Sequence, residues 1–318
     1  MQICQTHKLN CFSLLLKPSW PELFSCLFPV TSSKVASSLL QSNHAKPNER
    51  RISLKVTLIT HTPQPEKVVA AAAKLCYSDQ VDIETLMQSL DDEDAVSAFV
   101  HKLMTMHHES PLEHVSFTFG IEGVSRSFLA QITRHRVASF SVRSQRYCSE
   151  DAPAFITPKP IDRDSAQKDE FANAMQAAWM SYNQLVEMGA AKEDARAVLP
   201  NACETRMLVT MNARELLHFF SLRCCTRAQL EIRTVANEML KVCREVAPTI
   251  FEHAGAACDQ LGYCPEGNMS CGRKMTLEEV LKLAKANESV DNGTADFSLH
   301  ESFLARIPAT LVVGGAPA

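Results

Sequence analysis

Residues 115–136 read VSFTFGIEGVSRSFLAQITRHR, and the two halves of this stretch have different periods. Val115, Phe117, Phe119 and Ile121 alternate with Ser116, Thr118 and Gly120, the period of a strand buried on one side. From Ser125 the apolar residues switch to helical spacing, with Phe128, Leu129 and Ile132 on one face. The predicted helix covers 125–134. It places Arg134-His135-Arg136 at its C-terminal end, where the helix dipole favours cations.

Working outward, strand and helix patterns follow each other without regular βαβ alternation. A short β-branched strand is expected at 55–59, a turn at 63–65 and an alanine-rich helix at 67–77. Helical patterning over 82–107 is interrupted near Asp91-Asp92. Residues 143–148 read as extended, 166–188 as a long helix, and 190–199 as a shorter one ended by Pro200. A strand is expected at 206–211. Asn212-Ala-Arg-Glu215 then resembles a capping box opening a helix to Leu222. Helices follow at 226–246, 248–261 and 275–287. This mixture places the chain in the α+β class, as one domain.

Composition narrows the function. The chain has 318 residues, 46% hydrophobic and 21% charged, which argues against global disorder. No apolar run reaches the roughly 20 residues that span a bilayer, so no membrane partner is expected. There are 10 glycines and neither G-x-G-x-x-G nor G-x-x-x-x-G-K-[ST], so the two commonest nucleotide cradles are absent. The 12 cysteines include no C-x-x-C pair and read mostly as buried thiols in a reducing compartment. Cys224-Cys225 beside Arg223 could be core or an activated thiol. His108-Glu109 is not an H-E-x-x-H zinc motif, because Leu112 stands at the second His position. Cys258, Cys264 and Cys271 lack zinc-ribbon spacing, and no metal is expected. The first 54 residues hold Lys8, Lys17, Lys34, Lys46, Arg50 and Arg51 against Glu22 and Glu49. They read as a disordered extension or a mis-assigned start.

Charge is unevenly spread. Lys+Arg 32 minus Asp+Glu 36 gives −4, yet 123–149 holds Arg126, Arg134, Arg136, Arg143 and Arg146 and no acid. That stretch is +5 and the remainder therefore −9. Guanidinium forks suit phosphate oxygens and stack on flat rings. Ser144 and Arg146, two apart on an extended segment, would face the same way and offer a hydroxyl beside a fork. A solvated basic face explains the same spacing equally well.

Arg134-His135-Arg136, seven further residues, Ser144 and then Gln-Arg-Tyr resemble the signature of flavin-dependent thymidylate synthases. Three more blocks agree in order: His108-Glu-Ser-Pro-Leu-Glu113-His114 with Phe117-Thr-Phe119; Arg196-Ala-Val-Leu-Pro200 leading to Thr205-Arg206 and Asn212-Ala-Arg214; and Leu222-Arg223. The blocks fall between Val56 and Arg273. The resemblance implies reductive methylation of deoxyuridylate (dUMP) to thymidylate. In it, 5,10-methylenetetrahydrofolate is the carbon donor, FAD the cofactor and NADPH or NADH the hydride source. It implies a cytoplasmic homotetramer with shared active sites and a mixed or antiparallel sheet flanked by helices. No enzyme nucleophile is implied, and the chain contains no Pro-Cys-His. The expected domains are an extension at 1–54, the catalytic domain at 55–273, and a C-terminal helix with a loose tail at 274–318.

By matching position, the resemblance assigns Gln131, Ser144, Arg146 and Arg196 to the phosphate and sugar of dUMP, with Arg134, Val142 and Arg143 beside them. Arg223 is the expected catalytic residue, bonding uracil and favouring its N3-deprotonated form. FAD is assigned to Ser110, Glu113, Arg134, His135, Arg136, Val142, Asn212, Arg214 and His218, with His108 lining the flavin side. Three positions depart from the family pattern: Ser141-Val142 where many members have Asn-Glu, Cys76 in place of a small hydroxyl residue, and His218 in place of a frequent Asn. Two other readings stay open, a non-enzymatic nucleic-acid-binding protein using Arg126 to Arg146, and a family member that binds flavin but has lost transfer.

Overall fold

The structure, a computed structural model, describes residues 53–77, 79, 82–148 and 154–288. The expected extension, up to residue 52, and the expected loose tail, from residue 289, lie outside the described residues. Strands β1 (Lys55–His61), β2 (Ser116–Ser125), β3 (Ala138–Val142) and β4 (Glu204–Asn212) form an antiparallel sheet in the order β1-β2-β4-β3. Helices α1 (Pro65–Leu75), α2 (Ile83–Gln88) and α3 (Glu93–Thr105) lead from β1 to β2, and α4 (Arg126–Ile132) from β2 to β3. Helices α5 (Lys159–Asp162), α6 (Ser165–Glu187) and α7 (Lys192–Ala195) precede β4. After it come α8 (Ala213–Arg223), α9 (Leu230–Val246), α10 (Pro248–Phe251), α11 (Ala257–Leu261) and α12 (Leu277–Glu288). The fold is α+β, and its sheet is antiparallel. No helix among the described residues is long and apolar enough to cross a membrane.

The period-2 residues of β2 carry the core. Phe117, Phe119 and Ile121 are fully buried and share one cluster with Val209 and Met211 of β4 and with Phe219, Phe220, Ile232 and Met239 of α8 and α9. Phe251 joins edge-on, 5.6 Å from Phe117 and 6.0 Å from Phe220 between ring centroids. The opposite face of the sheet leaves Ile59 and Leu208 exposed on either side of Gly120. A bulge interrupts the β2–β4 register between Ile121 and Val124. There Gly123 has φ +67°, and a Cβ would fall 2.4 Å from the Ser53 carbonyl oxygen, so both backbone and space demand glycine.

Ser125 starts α4 by accepting from the Phe128 N–H at 3.1 Å. Glu231 of α9 in turn accepts from the Ser125 N–H and hydroxyl, both at 2.6 Å. The helix stops at Ile132, short of the expected 134. The Arg134 and His135 N–H groups then close a tight turn on the Gln131 and Ile132 carbonyls at 3.4 and 3.1 Å. This turn lets His135 point inward, 4% exposed, while Arg134 and Arg136 stay exposed.

One expectation is overturned. Residues 143–148 are not extended: the strand is 138–142, and the chain then turns, with the Cys148 N–H bonded to the Ser144 carbonyl. Ala138, Phe140 and Val142 alternate with Ser139 and Ser141, the same period-2 signal as in β2 but only five residues long, and the expectation overlooked it. Pairing with β4 sets the bounds of the strand. Three further elements differ: the helix expected at 190–199 is α7 followed by a 3-10 turn at Arg196–Val198, α9 begins at Leu230 rather than 226, and the helix expected at 248–261 is broken into α10 and α11.

Candidate functional site

Asn212 caps α8, its Oδ1 accepting from the Glu215 N–H at 2.8 Å. The Glu215 carboxylate does not return to the Asn212 N–H, as a full capping box would have it. Instead Glu215 Oε1 lies 2.8 Å from His135 Nδ1. On the other side of the ring, Arg223 donates its Nε–H to His135 Nε2 at 3.1 Å, and its Nη2 reaches the Gln131 carbonyl at 3.4 Å. Arginine has only donors. Nε2 therefore accepts, the proton sits on Nδ1 and is donated to Glu215, and the ring is neutral. Burial pushes the His135 pKa below its ordinary value and the Arg223 charge adds to this, while the Glu215 bond opposes both. Burial, and then the charge of Arg134, also lower the Arg223 pKa; a guanidinium stays cationic near neutral pH.

Phe219 meets the His135 ring edge-on at 5.0 Å and His218 at 5.8 Å, so the hydrophobic core abuts this polar group. A cavity of about 680 Å³ opens beside it, lined by Arg134, Arg136, His218 and Arg223 and by Arg227, Arg273 and Lys274. Of these, Arg227 pairs with Glu266, and Arg273 with Asp259 at 2.6 Å.

The other predicted residues form two further groups. Arg214 pairs with Glu113 at 2.5 Å and Glu109 at 3.3 Å, tying the start of α8 to the short 3-10 turn Ser110–His114. Its pKa is raised, chiefly by the Glu113 bond. Ser144, Arg146 and Arg196 gather around Glu193. Arg146 reaches the Glu193 carboxylate through Nε at 2.8 Å and Nη2 at 2.6 Å, and Arg196 Nε donates to the Glu193 carbonyl at 3.1 Å. Ser144 Oγ accepts from the Arg146 N–H at 3.2 Å, so hydroxyl and fork belong to a turn, not to one strand face. This group follows Val142, which pairs with Met207, whereas Ala138 pairs with Met211 near Asn212. β3, about 13 Å long at 3.3 Å per residue, thus runs between the turn that carries His135 and the turn that carries Ser144 and Arg146.

Three participants carried no sequence signal: Glu193, Gln229, which accepts from Gln131 Nε2 at 3.0 Å, and Glu215 in its bond to His135. Glu215 was visible only through its capping-box spacing, which points to Asn212. Cys76 is exposed and its thiol lies against its own helix, 3.8 Å from the Ala72 carbonyl. Burial pushes the Cys224 thiol up to about 12, which removes the activated-thiol reading for that residue. Among the described residues no His, Cys, Asp and Glu group is arranged to hold a metal.

The family model described as thymidylate synthase complementing protein matches residues 57–249. A flavin-dependent thymidylate synthase of Geobacter sulfurreducens is 49% identical over 231 residues, covering 72% of this chain and 98% of that protein. One from Pyrococcus abyssi is 40% identical over 221 residues, 67% and 90% of the two chains. Among solved structures, a UMP/dUMP methylase from Streptomyces cacaoi bound with 5-Br dUMP superposes with a TM-score of 0.53 at 25% identity, covering 63% of this chain and 93% of that one.

Proposed function

The chain belongs to the thymidylate synthase complementing protein family, and on that premise we propose that it is a flavin-dependent methyltransferase whose dUMP site is assembled from two copies of its own surface. The reaction converts dUMP to thymidylate, taking the carbon from 5,10-methylenetetrahydrofolate and reducing equivalents from NADPH or NADH. Bound FAD supplies hydride transfer between nicotinamide and the pyrimidine. The observation that carries this reading is Arg223, held by a neutral histidine on the wall of a cationic cavity. A fixed guanidinium stabilises an N3-deprotonated uracil without titrating, so the ring is activated by electrostatics and orientation, with no covalent attack.

In this reading Gln131, Arg134 and Arg223 meet the nucleotide from one protomer. Ser144, Arg146 and Arg196 meet its phosphate from another, with Val142 and Arg143 beside them. What supports the division is placement: the two groups lie in the turns at opposite ends of β3, Arg146 and Arg196 gathered on Glu193 and Arg223 held by His135. The uncovered sheet face bearing Ile59 and Leu208 offers apolar surface for a partner, and a homotetramer is the assembly we assign. The donor set suits a flavin dinucleotide. Arg134 and Arg136 are exposed cations for its pyrophosphate, and the capped start of α8, with Asn212 and Arg214, faces the same way as Ser110 and Glu113 through the Arg214–Glu113 pair. His135 and His218 complete the flavin set, with Val142 from the far end of β3. Residues 55–273 are the catalytic domain, and a sequence of this length whose cysteines form no dense disulfide pattern favours the cytoplasm. The arginines of 126–146 lie at both ends of α4 and both ends of β3 instead of forming one stripe, which disfavours the nucleic-acid reading.

The test is direct. The purified protein should bind FAD, with its yellow spectrum, and form thymidylate from dUMP, methylenetetrahydrofolate and NADPH. A protein that cannot be loaded with FAD sinks the proposal, and a yellow protein without thymidylate supports a flavin binder that has lost transfer.

A further inference from the structure

Glu215 and Arg223 stand eight residues apart on α8, about 12 Å along the helix axis, too far to touch. The His135 ring fills the gap, with one nitrogen on each, at 2.8 and 3.1 Å. We infer that Glu215 is a positioning residue for the reaction: acting through the His135 ring, its carboxylate holds the Arg223 fork in place on the cavity wall. The inference rests on the reading of Arg223 as the group that meets uracil.

The chain of contacts has a direction. Glu215 leaves α8 from a fixed point, because Asn212 holds its backbone N–H. Its side chain is 10% exposed and that of His135 only 3%, so neither can find a substitute partner in water. A carboxylate at Nδ1 draws the ring proton there and leaves a lone pair at Nε2, the one tautomer that can accept from Arg223. The reverse tautomer, or a protonated ring, would set an N–H against the Arg223 Nε–H. Without that lone pair, Arg223 keeps only the long bond to the Gln131 carbonyl, while the nearby Arg134 charge acts on it. With Nε committed to His135 and one Nη2 proton to Gln131, the Nη1 protons and the second Nη2 proton are left for a ligand. The charged and titratable groups facing the ring are Glu215, His218 and Arg223 of α8, with Arg134 facing Arg223.

The experiment compares Glu215→Leu and Glu215→Gln with the flavin-loaded wild type. Three quantities are read: thymidylate formation, bleaching of bound flavin by NADPH without dUMP, and the ¹⁵N shifts of the His135 ring. Glu215→Leu is expected to lower kcat for thymidylate about 10- to 100-fold while flavin bleaching stays within about twofold. Glu215→Gln should recover most of that loss, since its carbonyl oxygen accepts the same proton. It removes a charge that raises the His135 pKa, so the acid limb of its rate profile should move to lower pH. Wild-type shifts should report a proton on Nδ1. Wild-type turnover in Glu215→Leu, parallel loss of synthesis and bleaching, an unmoved acid limb in Glu215→Gln, or a proton on Nε2 would each overturn the inference. Should Glu215→Leu not fold, the Gln profile and the ring shifts decide. An inactive wild type would instead count against the enzymatic reading, and the ring shifts still test the Glu215–His135 bond.

Discussion

Arg146 closes two nitrogens on the carboxylate of Glu193, at 2.8 and 2.6 Å, so the fork assigned to a phosphate rests on an acid of its own chain. Both side chains are about half exposed, and such a pair contributes little to stability. A phosphate can therefore replace the carboxylate at small cost. Arg146→Ala should raise the KM for dUMP about 10-fold or more with a smaller change in kcat, the pattern of lost ground-state binding. Steady-state kinetics at varied dUMP check this, and an unchanged KM would remove Arg146 from the site.

Arg223→Ala should abolish synthesis while leaving flavin content near that of the wild type. The flavin set lies on other side chains, and Arg223 is reserved for the pyrimidine. Absorbance per protomer after gel filtration gives the flavin content. Equal loss of flavin and synthesis would show that the division of labour is wrong.

If sites are shared, two variants that are weak at dUMP well below the raised KM of Arg146→Ala should complement each other at that concentration. Arg146→Ala and Arg223→Ala protomers, refolded or co-expressed together, can assemble sites with both arginines intact. Roughly a quarter of wild-type activity is expected for random mixing in a symmetric oligomer. No recovery in a verified mixed oligomer would place both groups within one protomer's site.

Gly123→Ala tests the bulge. The left-handed φ and the 2.4 Å approach to Ser53 O together should cost more than about 2 kcal/mol. Thermal melting reads this as a lower Tm, and a melting curve like the wild type would show that the Ser53 segment moves aside freely.

Acid should weaken the fold through His135. Its folded pKa is depressed below the ordinary value near 6.5, so between those two values the unfolded chain binds more protons. Stability from this group is complete above about pH 6.5 and is lost as pH falls through the window below it. Tm measured from neutral pH downward should fall in the wild type. His135→Gln, which cannot titrate, should fall less steeply over the same range.

Much of the fold was legible locally. The alternation of 115–121 became the central buried strand, and Ser125 and Asn212 became helix caps because a short side-chain oxygen beside an apolar-periodic run can satisfy the first helical N–H groups. The end of α4 was less legible, since its last carbonyls are taken by a tight three-residue turn from the Arg134 and His135 N–H groups, which the apolar spacing does not mark. The missed strand at 138–142 shows the same limit. Its alternation of Ala138, Phe140 and Val142 with Ser139 and Ser141 is a strand signal only five residues long, and pairing with β4 sets its bounds.

By itself, the sequence determined the α+β class, the absence of a glycine cradle, the concentration of arginines between 123 and 149, and the ordered blocks that mark the family. These depend on composition, period and spacing, which are properties of neighbours along the chain. Tertiary structure alone decided that Glu215 serves His135, 80 positions away. It also decided that Ser144 and Arg146 lie in a turn at the far end of β3 from Arg223, and that Glu193 occupies the Arg146 fork. The order β1-β2-β4-β3 brings these segments into contact or holds them apart. Hydrogen bonds between buried groups depend on distances of a few ångströms, which no local periodicity encodes.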